Sequence, residues 1–169
     1  MIPEIKKILY ATDHSKNSAY AFYYAVDIAR ERDAKIVILH VIEFRPIGIH
    51  PGALRVGRGH EKSEIEKIDV EQTKNHLQKV CQKAENEIGP PCTELVSNII
   101  VRVGYPAEEI LNVTDEEGCD LIILGTHGKG FLKQTFLGSV SNAVLHRAQK
   151  PVLLIPFPSE KITINWDEI

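Results

Sequence analysis

No run of this sequence comes near the roughly 18 apolar residues that a membrane-spanning helix needs, so no such span is expected. A basic surplus is missing as well: 20 Lys and Arg stand against 23 Asp and Glu, a formal net charge of −3. A general binder of nucleic acid or of anionic membrane would carry a basic patch or excess, so neither partner is expected. Cysteine is scarce. Cys81, Cys92 and Cys119 are odd in number and lack metal-ligand spacing, which reads as the reduced thiols of a cytoplasmic protein. The opening residues, MIPEIKKILYATD, lack the order of charge, apolar stretch and small-residue cleavage site of a leader; their apolar part reads as a strand.

Several motifs are absent too. Gly128-Lys129-Gly130 has neither the following Ser or Thr nor the upstream glycine of a P-loop. The dinucleotide fingerprint G-x-G-x-x-G fails because Lys133 stands at its last glycine position. No nucleophile elbow and no pair of catalytic carboxylates is present. His50, His60 and Cys81 are spaced in a way that carries no zinc signal.

What the sequence does hold is alternation. With 43% hydrophobic and 25% charged residues, 169 residues suit one domain with a sizeable core. Ile8-Leu9-Tyr10-Ala11 reads as a buried strand ending at Thr12-Asp13, and Ser15 begins a helix with Ala21, Phe22, Ala25, Val26, Ile28 and Ala29 on its apolar face. Lys35 to Ile42 is a second strand. Residues 44–62 lack sustained periodicity and read as a long flap loop holding Arg55 and Arg58. Ile65, Ile68, Leu77, Val80, Cys81, Ala84 and Ile88 then form the stripe of a long helix. A third strand covers Ile99 to Val103. The next helix has Pro106 in its first turn, Glu108 and Glu109 at its positive end, and Gly118 as its stop. Asp120 to Leu124 is a fourth strand. The fifth, Val152 to Ile155, lies between Pro151 and Pro156, which suits a sheet edge. Residues 157–169 are a C-terminal extension that alternates like a strand. Strands alternating with helices demand an α/β fold, a parallel sheet with helices on both faces.

Between the fourth strand and the last helix runs Gly125-Thr126-His127-Gly128-Lys129-Gly130, and the helix opens at Gly138-Ser139-Val140-Ser141. Glycines let backbone approach a ligand closely or take positive φ. A helix start with small hydroxylated residues offers N–H groups, a positive dipole end and the hydroxyls of Ser139 and Ser141, which suit a phosphate. His127 is either a solvated loop residue or a phosphate neighbour. Asp13 is either a cap for the helix near Ser15 or a ligand group.

Gly125-x2-Gly128-x9-Gly138-Ser139 resembles the nucleotide-binding signature of the universal stress protein family, in its ATP-binding branch, and DLIILGTHGKG and LGSVSNAVLHRAQKPVLLIP resemble that family's closing strand–loop–helix–strand. The resemblance implies a Rossmann-like open sheet, similar to the adenine nucleotide alpha hydrolases, in the order 3-2-1-4-5. It implies ATP as ligand, with AMP or ADP as alternatives, and Mg²⁺ held through the phosphates. Ala11, Thr12 and Asp13 would lie beside the glycine loop, Asp13 on the ribose and the Val41 main chain at the adenine edge. Gly125, His127, Gly128, Gly138, Ser139, Val140 and Ser141 would surround ribose and phosphates. It further implies a stress-response protein acting as a homodimer through the Val152–Ile155 edge, with a further protein partner unknown. A dedicated enzyme is not expected, since no general base or arginine finger is evident; slow ATP hydrolysis and a non-nucleotide interaction module are the alternatives.

Overall fold

The computed structural model describes residues 2–43, 59–90, 92–127 and 137–158, with side chains of the second segment described from residue 70. Gly128, Lys129, the tail beyond 158 and most of the flap lie outside the described residues. The strands are β1 (Lys7–Thr12), β2 (Lys35–Glu43), β3 (Val96–Gly104), β4 (Leu121–Gly125) and β5 (Val152–Ile155). The helices are α1 (Lys16–Arg32), α2 (Gly59–Ile88), the short α3 (Cys92–Leu95), α4 (Pro106–Glu116) and α5 (Ser139–Arg147). The first turn of α2 therefore takes up residues 59–62, the last part of the stretch expected to be flap. The short helix α3 was not expected, nor was the start of β3 at Val96.

All five strands are parallel in the order β3-β2-β1-β4-β5, as expected. β1 and β4 are the central strands, and their β-branched and aliphatic runs are buried on both faces as that position requires. β5 sits at an edge, where Pro151 and Pro156 take no hydrogen bond away from a second neighbour. The alternation of side chains sends Ile8, Tyr10, Ile36, Ile38, Leu121 and Ile123 to one face, against α1 and α2. Leu9, Val37, Leu39, Ile122 and Leu124 go to the other, against α4 and α5. Burying such an aliphatic side chain stabilises by roughly 1.5–3 kcal/mol, so these two layers hold the sheet flat against its helices.

Helix ends carry the expected chemistry. Ser15 caps α1, its Oγ accepting from the Ser18 N–H at 3.1 Å. Asp33 closes that helix in the left-handed region at φ 52, and Ala34 N–H reaches back to the Ala29 carbonyl. Pro106 opens α4, and Gly118 ends it at φ +64 with Cys119 N–H bonded to Thr114 O. The connection from β3 to β4 crosses over β2 and β1, so the direction of winding reverses between β1 and β4. Ligands of open α/β sheets sit beyond strand ends at such a reversal.

Candidate functional site

At that reversal the end of β1 meets the end of β4. Tyr10 is level with Ile123, so Ala11 and Thr12 come alongside Leu124 and Gly125. The corner after β1 is tied by its own side chains. Thr12 Oγ1 accepts from His14 N–H at 3.2 Å and lies 3.0 Å from Ser18 Oγ. Asp13 Oδ1 accepts from Ser15 N–H at 3.0 Å. His14 is held at φ 61, a region that non-glycine residues seldom visit and in which Asn, Asp and His are enriched. Asp13 is therefore not the cap of α1; Ser15 is, and Asp13 braces the turn in front of it.

Across the reversal, Gly125 and the residues after it are held by Asn17, from the first turn of α1. The Asn17 Nδ2 donates to the Ile155 carbonyl at 3.0 Å, and its Oδ1 accepts from His127 N–H at 2.9 Å and from Thr126 Oγ1 at 3.4 Å. Gly125 has no positive φ. Its glycine is needed for another reason: a Cβ there would lie 2.8 Å from Asn17 Cγ. Gly138 likewise has an ordinary φ of −67. It caps α5, and its N–H donates to Thr126 O at 2.7 Å, so the end of β4 and the start of α5 are joined by one hydrogen bond.

The first turn of α5 offers the N–H groups of Ser139, Val140 and Ser141, which have no carbonyl one turn earlier inside the helix. No acidic residue occupies that turn, so nothing opposes an anion at the positive dipole end. Ser139 is exposed. Ser141 is 4% exposed, and its hydroxyl donates to Gly125 O at 2.8 Å. Of the two hydroxyls expected beside a phosphate, that of Ser141 is thus bonded to the end of β4 in this structure.

Three further expected residues separate by face. Ala11 and Val41 pack on the α4/α5 side. Val41 lies one residue beyond His40, the last β2 position paired with β1, so this part of β2 has β3 on one side and no strand of the described residues on the other. Thr12 points the opposite way, toward α1, and lines a cavity of about 80 Å³ between α1 and α2. Its side chain therefore serves the corner, and only its main chain adjoins the glycine loop. Phe22, Ile38, Leu77 and Cys81 line the same cavity, with His14 and His76. The His14 ring lies 4.2 Å from His40 and 5.2 Å from His76 between centroids. His40 Nδ1 lies 2.8 Å from the Thr12 carbonyl, which can only accept, so Nδ1 carries a proton. Burial pushes the Tyr10 phenol far above its usual range, and its hydroxyl donates to Ser18 O at 2.7 Å. Among the described residues no group of three or more His, Cys, Asp or Glu side chains is placed to hold a metal ion.

Residues 4–156 match the model of the universal stress protein family. The chain belongs to that family. Universal stress protein MJ0577 of Methanocaldococcus jannaschii is 34% identical over 158 residues, covering 89% of this chain and 94% of that protein. The solved structure of MJ0577, described as a structure-based assignment of biochemical function, superposes with a TM-score of 0.70 at 30% identity, covering 94% of this chain and all of that one. A universal stress protein solved in complex with cAMP gives a TM-score of 0.56 at 21% identity, covering 91% of this chain and 98% of its own; at that identity the likeness is one of fold.

Of the residues that shape the site, Asn17 was not expected. In the sequence it is one of several small polar residues around a helix start, and only the strand order brings it to Gly125.

Proposed function

We propose that this universal stress protein binds an adenine nucleotide in the crevice between the ends of β1 and β4 and acts as a nucleotide-dependent regulator. What supports the reading most is the convergence there of Ala11–Asp13, Gly125–His127 and the unopposed first turn of α5. Asp13 accepts the ribose hydroxyls, and the Val41 main chain reads the adenine edge. Gly125, His127 and Gly128 border the ribose and phosphates. Gly138, Ser139, Val140 and the Ser141 N–H receive the phosphates at the positive helix end. ATP is the leading ligand, with Mg²⁺ carried on its phosphates rather than by protein side chains; AMP and ADP are the alternatives. The active form is a homodimer in which the exposed edge of β5 (Val152–Ile155) pairs with its twofold mate.

The test is to denature the purified protein and chromatograph what it releases, then to titrate the protein with ATP and Mg²⁺, ADP, AMP and cAMP by calorimetry. The last is included because one neighbour of this fold was solved with it. Bound or titratable adenine nucleotide supports the reading. No binding at millimolar ATP sinks it and leaves a dimeric interaction module. Turnover above roughly 1 per second, the low end of ordinary enzymes, makes the protein a hydrolase instead. Sedimentation equilibrium checks the dimer.

A further inference from the structure

Asn17 is 6% exposed, and its amide joins three elements that are distant in sequence. Its donor end meets the Ile155 carbonyl at the end of β5, 138 residues away; its acceptor end meets the His127 N–H, 110 residues away, and the Thr126 hydroxyl. Its orientation is fixed by these partners, since a carbonyl only accepts and an N–H only donates. A carboxylate lacks the donor, and an aliphatic side chain lacks both. The same Ile155 carbonyl also accepts the Thr126 N–H at 3.0 Å. The Thr126 hydroxyl lies 2.9 Å from His127 Nδ1, which sets the imidazole against the backbone that carries it. Gly125 completes the arrangement, because any side chain there would displace the Asn17 amide. The chain thus leaves β4 toward residues 128–136 in a direction that Asn17 determines, and it returns at Gly138 on the carbonyl of the clasped Thr126.

We propose that Asn17 is the positioning residue for the Thr126–His127 backbone at the end of β4: it orients that backbone toward the nucleotide without touching the ligand itself. The inference rests on the nucleotide reading given above. It extends that reading by placing the control of the Thr126–His127 backbone on α1 and on the end of the β5 edge strand, not on the glycines alone. Backbone at Thr126 and His127 that is already held need not be ordered when the ligand arrives, and that ordering cost otherwise subtracts from affinity.

The test compares Asn17→Ala and Asn17→Asp with Val113→Ala, which removes buried volume on α4, away from the site. Adenine nucleotide affinity is measured by calorimetry, stability by urea denaturation, and amide exchange at Thr126 and His127 by NMR. N17A is expected to weaken binding about tenfold, the worth of one oriented hydrogen bond, and to speed exchange at His127. V113A loses stability and keeps its affinity. N17D retains the acceptor for His127 and loses the donor to Ile155, so it keeps the protection of the His127 N–H although its stability also falls. Equal affinity in N17A and V113A overturns the proposal, and so does loss of His127 protection in N17D. If N17A does not fold, N17D decides by its exchange: protection kept at His127, whose N–H still finds an acceptor on residue 17, supports the role, and loss of it overturns it. If the wild type binds no adenine nucleotide, the nucleotide reading fails on its own. Positioning then stands or falls on whether His127 exchange rises in N17A.

Discussion

Gly125 and Ser141 show how a glycine and a serine in a ligand-type motif can be required by the protein itself. The 2.8 Å approach of an added Cβ to Asn17 Cγ makes Gly125→Ala an overpacking change. It is expected to destabilise by about 1–3 kcal/mol, read from the urea midpoint. Combined with Asn17→Ala the two losses should be less than additive, because removing the Asn17 amide removes the atoms that the new Cβ would meet. Ser141→Ala removes the buried donor to Gly125 O, at a cost of about 1 kcal/mol in unfolding free energy. Exposed Ser139 has no such duty among the described hydrogen bonds, so Ser139→Ala should keep the stability and weaken nucleotide binding. Equal stability losses in both serine variants would contradict this division.

At the scale of elements, the ends of helices decide where the site groups stand. Cys119 and Asp120 lead into β4 only because α4 stops sharply. Gly118 at φ +64 makes that stop, and the backbone bonds Gly118 to Asp115 and Cys119 to Thr114 seal it. No atom crowds the Gly118 Cβ position, so Gly118→Ala acts through backbone strain alone. A loss of about 1 kcal/mol is expected, measurable as a lower thermal midpoint. On the same face of the sheet but at the opposite end of β4, α5 begins where Gly138 N–H finds Thr126 O. The helix start is thereby pinned to the same strand end that Asn17 holds.

The molecule as a whole carries three buried thiols, and their titration gives a pH test of the fold. Desolvation pushes Cys81 up from 9.0 to about 12, and Cys92 and Cys119 to about 11. Below pH 9 folded and unfolded thiols are all protonated and their contribution is complete. Above it the unfolded chain releases protons that the folded chain still holds, so stability falls as pH rises from 9 toward 12. The Tyr10 phenol, also pushed up by burial, acts in the same sense at higher pH. Urea midpoints should drop between pH 8 and pH 10, and the native thiols should resist alkylation at pH 8 until the protein is unfolded. A flat profile over that range would argue against their burial.

Much of this architecture is legible in the residues alone, because backbone hydrogen bonding and side-chain periodicity are local. Ile8 to Ala11 and Leu121 to Leu124 must be central strands since they are apolar on both faces, the prolines around Val152–Ile155 mark an edge, and Pro106 and Gly118 bracket their helix. Resemblance supplied the strand order that alternation left open. The short helix α3 and the first turn of α2 were not legible, because four residues carry too little periodicity to announce a helix. What only the tertiary structure decided is which polar groups meet. Asn17, Ser141 and Gly125 are far apart in the chain, and hydrogen-bond partners at 2.8–3.0 Å exist only once β1, β4 and β5 lie side by side. A side chain's chemistry is written in its type, but whether that chemistry is spent inside the fold or left for a ligand depends on neighbours that the sequence does not place next to it.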